Sequence, residues 1–208
     1  MLLTFHQERF SMHLLAFAAS VRTGSYNRAL IRLAAQHAAE LGATVDLADF
    51  REFDMPLFDA DLEAQSGVPA GGLELALRIT RNQGLMIATP EYNFSMPGTL
   101  KNAIDWVSRI RPSPFTGKSC LLLSASRSRV GGQRGLLATR VPLESLGVFV
   151  YPESFSVPQA PEAFAADGSL RDPALGERLR RVVAAYLRAA SAWASLQAEE
   201  PARASRSQ

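Results

Sequence analysis

At 208 residues, with 47% apolar and 20% charged residues, the chain can bury a core without disulfide or metal staples. A formal net charge of +2 on scattered basic residues gives no electrostatic footprint for nucleic acid. The single cysteine, Cys120, excludes an internal disulfide framework and a thiolate metal cluster, and no apolar run approaches the roughly 20 residues of a membrane span.

The opening stretch MLLTFHQERFSMHLLAFAAS holds two short apolar runs split by Gln7, Glu8 and Arg9. A secretory signal would place its positive charge first and a longer apolar region after it. Residues 1–11 therefore read as a poorly ordered leader, with Met12 the effective start of the fold and a rival to Met1 as the translation start. Five short apolar runs follow, at 13–19, 43–49, 84–89, 119–125 and 147–152. Four are near-continuous rather than alternating, as strands buried on both faces of a parallel sheet are.

Segments with helical spacing lie between and after these runs. Leu30, Leu33, Ala34 and the stretch 37–41 fit a first helix, opened by Ser25 or Asn27 as its cap. Leu73, Leu77 and Thr80 mark a second, Leu100, Ile104 and Val107 a third, and Leu136, Leu137 and Leu143 a fourth. Residues 173–198 make the last and longest, with Pro173 at a natural first-turn position. The longest irregular piece is 49–72, and 199–208, polar and carrying Pro201, reads as a poorly ordered tail. Strand and helix in alternation predict a three-layer α/β fold with right-handed crossovers, in one domain over 12–198. In such sheets ligands lie outside the carboxyl ends of the strands, where strand order reverses.

Two of those ends carry unusual text. After the first strand, SVRTGSYNRAL supplies hydroxyls at Ser20, Thr23 and Ser25, an amide at Asn27, a guanidinium at Arg22 and a flexible Gly24, directly ahead of a helix. Short donors, orphan backbone N–H groups and the positive helix end together describe an anion site. It is neither a Walker loop nor a Gly-x-Gly-x-x-Gly fingerprint, and capping by Ser25 and Asn27 is the competing explanation. After the third strand comes TPEYNFSMPGTLKNAIDWVSR, where Pro90 ends the strand and Glu91, Tyr92 and Asn93 present polar groups at the sheet edge. Pro97 precedes the next helix, on which Lys101 and Asp105 are spaced to pair. Leu100, Ala103, Ile104, Trp106 and Val107 cover more than one stripe of it, leaving a face for another subunit, or for core in the case of Trp106.

The three histidines, His6, His13 and His37, have no metal-ligand spacing. Cys120 lies within an apolar strand and reads as packing. Arg127, Arg129 and Arg134 form a basic group beside the proposed site, suited to a nucleotide phosphate, to carboxylates of another subunit, or simply to solvent.

PEYNFSMPGTLKNAIDWVSR resembles the signature of the NADPH-dependent FMN reductase family, flavodoxin-like enzymes that include quinone, chromate and azo-dye reductases. The resemblance takes in SVRTGSYNRAL, the FDMPL text at 53–57 with Asp59 and Asp61, and SASRSRVGGQRGLL at 124–137, and covers roughly 12–150. It implies a flavodoxin-like five-stranded parallel sheet of order 2-1-3-4-5 with helices on both faces, and non-covalently held FMN. By position, Ser20, Arg22, Ser25 and Asn27 would hold the phosphate, and Pro90, Glu91, Tyr92 and Asn93 would border the isoalloxazine. Ser124 and Ser126 would approach the flavin's other side, and Gly131 and Gly132 would open the next helix. Phe94 and Arg127 are the expected substrate contacts. Departures from the family pattern are Ala19 and Phe94, each where glycine is frequent, and a more basic ASRSRV loop.

The implied activity is an FMN-dependent NAD(P)H oxidoreductase, with NADPH (or NADH) as co-substrate and a quinone, free flavin, azo compound or metal oxyanion as acceptor. The flavin carries the chemistry, so no acid–base dyad is expected; Glu91 reads as orienting its loop rather than as a base. The family implies a homodimer or homotetramer, with 98–110 expected at the interface; the charge, the lone cysteine and the absence of a long apolar run or secretory signal pattern lead to expecting no nucleic acid, no membrane span and a cytoplasmic location. Two alternatives stand beside it: a flavodoxin-like electron carrier without NAD(P)H turnover, and a component supplying reduced FMN to a monooxygenase.

Overall fold

The computed structural model describes residues 10–204. The greater part of the leader, 1–9, and the last four residues of the tail, 205–208, lie outside the described residues. The chain alternates as expected: β1 (His13–Ala18), α1 (Tyr26–Glu40), β2 (Thr44–Ala48), α2 (Ala60–Ser66), α3 (Ala70–Arg81), β3 (Gly84–Ala88) and α4 (Gly98–Val107). There follow β4 (Ser119–Ala125), α5 (Gln133–Ser145), β5 (Phe149–Val150), β6 (Phe155–Val157), α6 (Ala160–Ala163) and α7 (Pro173–Ala204). The strands pair in parallel in the order β2-β1-β3-β4-β5, as the resemblance implies.

The sheet divides two apolar layers. One joins Leu14, Ala16 and Met86 to α1 and α7; the other joins Leu15, Phe17, Ile87 and Leu122 to α3, α4 and α5. Strands β1, β3 and β4 are buried over almost their full length, which is why they read as continuous rather than alternating runs. The last helix is fastened to the central strand by a polar contact: Tyr186 Oη donates to the carbonyl of Leu85 at 3.0 Å and meets Ser119 Oγ at 3.1 Å. Only glycine leaves room for that approach, since a Cβ at Gly84 would stand 2.5 Å from Tyr186 Oη.

Several local expectations are corrected. Residues 49–72 are irregular only in part, at 53–59 and 67–69: Asp49 caps a short 3₁₀ turn at Phe50–Glu52, Asp59 caps α2, and α3 begins at Ala70. Leu73 and Leu77 lie on the exposed side of α3, whose buried stripe is Gly72, Leu75, Ala76 and Ile79. The two glycines at its start bring the helix close to Asp54 and Trp106 and fix that rotation. Leu137 likewise faces outward from α5, with Leu136, Thr139 and Leu143 inward. The fifth strand is broken: β5 pairs with the start of β4, and β6, which periodicity does not mark, pairs with its end. Helix α7 continues past 198 to Ala204, through Pro201.

The apolar residues of α4 are all buried within the chain. Trp106 is core: its indole donates to Pro56 O at 2.8 Å and its ring meets Phe58 edge-on. Lys101 and Asp105 do pair, at 2.7 Å. Among the described residues no helix is long and apolar enough to cross a membrane.

Candidate active site

The loops that leave β1, β3 and β4 converge on one cavity of about 360 Å³. Its lining is Ser20, Arg22, Ser25, Tyr26 and Asn27 from the first loop; Pro90, Glu91 and Tyr92 from the second; and Ala125, Ser126 and Arg127 from the third. β1 and β3 are adjacent, and between them the strand order reverses, so the cavity occupies the position where open α/β sheets take their ligands. Nine of the twelve site residues expected from sequence stand around it; Asn93, Phe94 and Ser124 are outside its lining.

The first loop leaves donors free. Ser25 occupies the cap position of α1 but makes no side-chain capping bond, so its buried hydroxyl remains available. Among the described residues Arg22 bonds only the nearby Gly24 carbonyl, at 3.1 Å, and rests 5.9 Å from the Tyr26 ring centroid. The loop is braced from behind by Arg51, whose guanidinium donates to the carbonyl of Val21, and by Arg28, paired with Asp49. Asn27 does something its position in the sequence cannot show. Its amide donates to Ala125 O at 2.9 Å and accepts from Ala125 N at 2.8 Å, tying the loop to the end of β4. Both bonds are buried, and the side chain positions the cavity floor.

The second loop is closed on itself. Glu91, the residue with a carboxylate in the lining, turns that carboxylate toward the start of α5. Oε2 accepts from the backbone N–H of Arg134 at 3.0 Å and of Gly135 at 3.2 Å, and Oε1 accepts from Arg134 Nε at 2.8 Å. A distant residue thus caps a helix whose own cap position, Gly132, has no side chain. Gly132 sits at φ 86°, and a Cβ there would collide with Ser124 Oγ. Ser124 is fully buried, and among the described residues that hydroxyl has no hydrogen-bond partner. Ser126 Oγ bonds Ser128 Oγ at 3.2 Å.

A group with an anionic end and a flat polar ring fits these surroundings. Free hydroxyls, a guanidinium and a helix N-terminus lie at one end; strand-end backbone, Tyr92 and an orphaned buried hydroxyl beside the lining lie at the other. Tyr26, Ala125 and the bracing Arg51 join the candidate site without a sequence signal: Tyr26 lies within SVRTGSYNRAL, but nothing in its spacing points to the cavity. Cys120, on β4, is buried, and burial pushes its thiol well above the ordinary range, so it is inert packing rather than a nucleophile.

The sequence profile described as NADPH-dependent FMN reductase matches residues 12–162. The quinone reductase of Escherichia coli is 39% identical over 126 residues, 59% of this chain and 64% of that protein. The chain therefore spans less than two thirds of the length of that relative. An NAD(P)H-dependent FMN reductase of Pseudomonas aeruginosa is 36% identical over 183 residues, 86% of this chain and 93% of the relative. Among solved structures, the flavoenzyme NAD(P)H:(acceptor) oxidoreductase FerB of Paracoccus denitrificans superposes with a TM-score of 0.73 at 27% identity, over 88% of this chain and 97% of its own. Flavodoxin 1 of Bacillus cereus, at 13% identity and a TM-score of 0.56 over 86% of this chain and 98% of its own, shares the fold.

Proposed function

The chain belongs to the NADPH-dependent FMN reductase family, and from that premise we propose that it is an FMN-dependent NAD(P)H oxidoreductase with a quinone as its acceptor. The observation that carries this reading is the convergence of an anion-ready loop and a rigid backbone wall on one cavity at the β1/β3 switch point. Bound FMN would relay a hydride from the nicotinamide to the acceptor. Overall, NADPH, a proton and a quinone become NADP⁺ and a hydroquinone, and solvent supplies the proton.

The chain's own residues bind and orient. Ser20, Arg22 and Ser25, with the first amides of α1, would hold the phosphate. Asn27 keeps that loop against β4 through its oxygen and one amide N–H, and its second N–H would join in holding the phosphate. Backbone at Pro90, Glu91 and Tyr92 would border the ring on one side, with Ser126 and the free Ser124 hydroxyl on the other. N–H and O–H donors aimed at the ring's carbonyl edge would favour the reduced, more negative form. Asn93 supports the turn, and Phe94 and Arg127 face the acceptor. Arg134 is engaged by Glu91, and of the other two arginines of that basic group Arg127 is the one in the cavity lining, the cation for a nucleotide phosphate.

The same reading makes residues 12–198 one functional domain, places it in the cytoplasm, and extends the acceptors to free flavins, azo compounds and metal oxyanions. It also makes the protein a homodimer or homotetramer. Within the 98–110 segment offered for that interface, the apolar residues of α4 are covered within the chain and Ile110 is half-buried, whereas Leu137 and Val141, 64% and 68% exposed, leave an apolar stripe on α5.

Anaerobic mixing of the yellow holoprotein with NADPH or NADH tests the proposal. Bleaching of the flavin absorbance, and its return on adding a quinone, is the expected result. No bleaching with either donor would leave an electron carrier and overturn the reductase.

A further inference from the structure

The hairpin that follows Glu91 has a residue in an unfavourable place. Tyr92 N donates to Ser95 O at 2.9 Å and Ser95 N to Tyr92 O at 3.0 Å, closing a two-residue loop. Asn93 and Phe94 both have positive φ, 49° and 67°. This is the turn that Asn-Gly adopts at least cost. Asn93 suits it. Phe94 does not, because a bulky side chain persists in the left-handed region only where its surroundings over-determine it. Apolar burial cannot be the cause, since Phe94 is 69% exposed.

Arg134 supplies what burial does not. Its guanidinium carbon lies 3.8 Å from the centre of the Phe94 ring. Its Nε and Nη2 meet Glu91 Oε1 at 2.8 and 2.7 Å, and its own backbone N–H is bonded to Oε2. The carboxylate of Glu91, with its side chain only 8% exposed, therefore fixes the guanidinium, which in turn gives the Phe94 ring a face to lie on. Lysine could not replace it, because an ammonium offers no plane.

We infer that Arg134 is a positioning residue: by clasping Phe94 it holds the hairpin wall that begins at Tyr92 in one arrangement, and so selects acceptors by size. The selection rests on the reductase reading above; the clasp does not.

The clasp is tested by unfolding the full chain without added flavin, as parent, Arg134→Met, Phe94→Gly and the double variant. Arg134→Met should lower the folding equilibrium constant about two- to fivefold more in the parent than in the Phe94→Gly background. Equal losses in the two backgrounds overturn the clasp, as does full retention of the coupling by Arg134→Lys. The selection is tested on the holoenzyme with benzoquinone and with a naphthoquinone bearing a branched alkyl tail. Arg134→Met should raise the ratio of kcat/KM, bulky over small, about tenfold, with the change carried by KM. An unmoved ratio overturns the selection. If NADPH fails to bleach the parent, the reductase reading and the selection fall together, while the unfolding cycle still decides the clasp.

Discussion

The loops after β1 and β3 face each other across the cavity and are built on opposite plans. The first keeps its chemistry in reserve: Ser25 caps nothing with its hydroxyl, and Arg22 holds only a neighbouring carbonyl. The second has its one charge fully engaged, with Glu91 accepting from two backbone amides and a guanidinium. The difference matches what the proposed function asks of each. A loop that receives a charged ligand needs unsatisfied donors at the surface, whereas a wall against which a flat ring lies must be settled before the ring arrives.

Substitutions can break that contrast. The largest effect is expected from Glu91→Ala, which removes the cap of α5 and leaves Arg134 without its partner. Urea unfolding should show a loss of about 3 kcal/mol. A loss below about 1 kcal/mol would mean the second loop is no more committed than the first. Arg22→Ala should do the reverse. FMN affinity should fall about 10- to 100-fold by fluorescence titration, with the urea midpoint nearly unchanged. An unmoved dissociation constant would remove Arg22 from the phosphate assignment.

The smallest effect concerns β4, the strand that both loops lean on. Burial raises the Cys120 thiol in the fold, so the unfolded chain loses that proton first as pH rises. The unfolded state then binds fewer protons than the folded one, and stability falls from about pH 8.5 upward, the ordinary thiol range. By pH 9.5 this contributes about 1 kcal/mol. The stability advantage of the parent over Cys120→Ala should shrink by that amount between pH 7 and 9.5. Other titrating groups, the buried Tyr186 among them, cancel in that difference.

What could be read from the residues followed the range of each interaction. Continuous apolar runs marked β1, β3 and β4 almost to the residue, because burial on both faces leaves a local trace. The three residues of β6 are too few for a period. Leu73 and Leu77 fit a helical repeat yet face outward, since the rotation of α3 is set by two glycines against Asp54 and Trp106. The site's residue types were legible in two loops, but their division of labour was not. Asn27 answers to Ala125 and Glu91 to Arg134, partners far along the chain that no local pattern connects.

The broken fifth strand has a consequence of another kind, for the protein at high concentration. β5 and β6 share the far edge of the sheet, and Arg140 fills the interruption by donating to the carbonyls of Val150, Tyr151 and Pro152. A continuous open edge is a template onto which another chain's strand can add. Here the outer rim is two short pieces with a guanidinium on the carbonyls between them. A sheet finished in this way has no straight ladder on that side to offer a neighbour, which disfavours edge-to-edge growth.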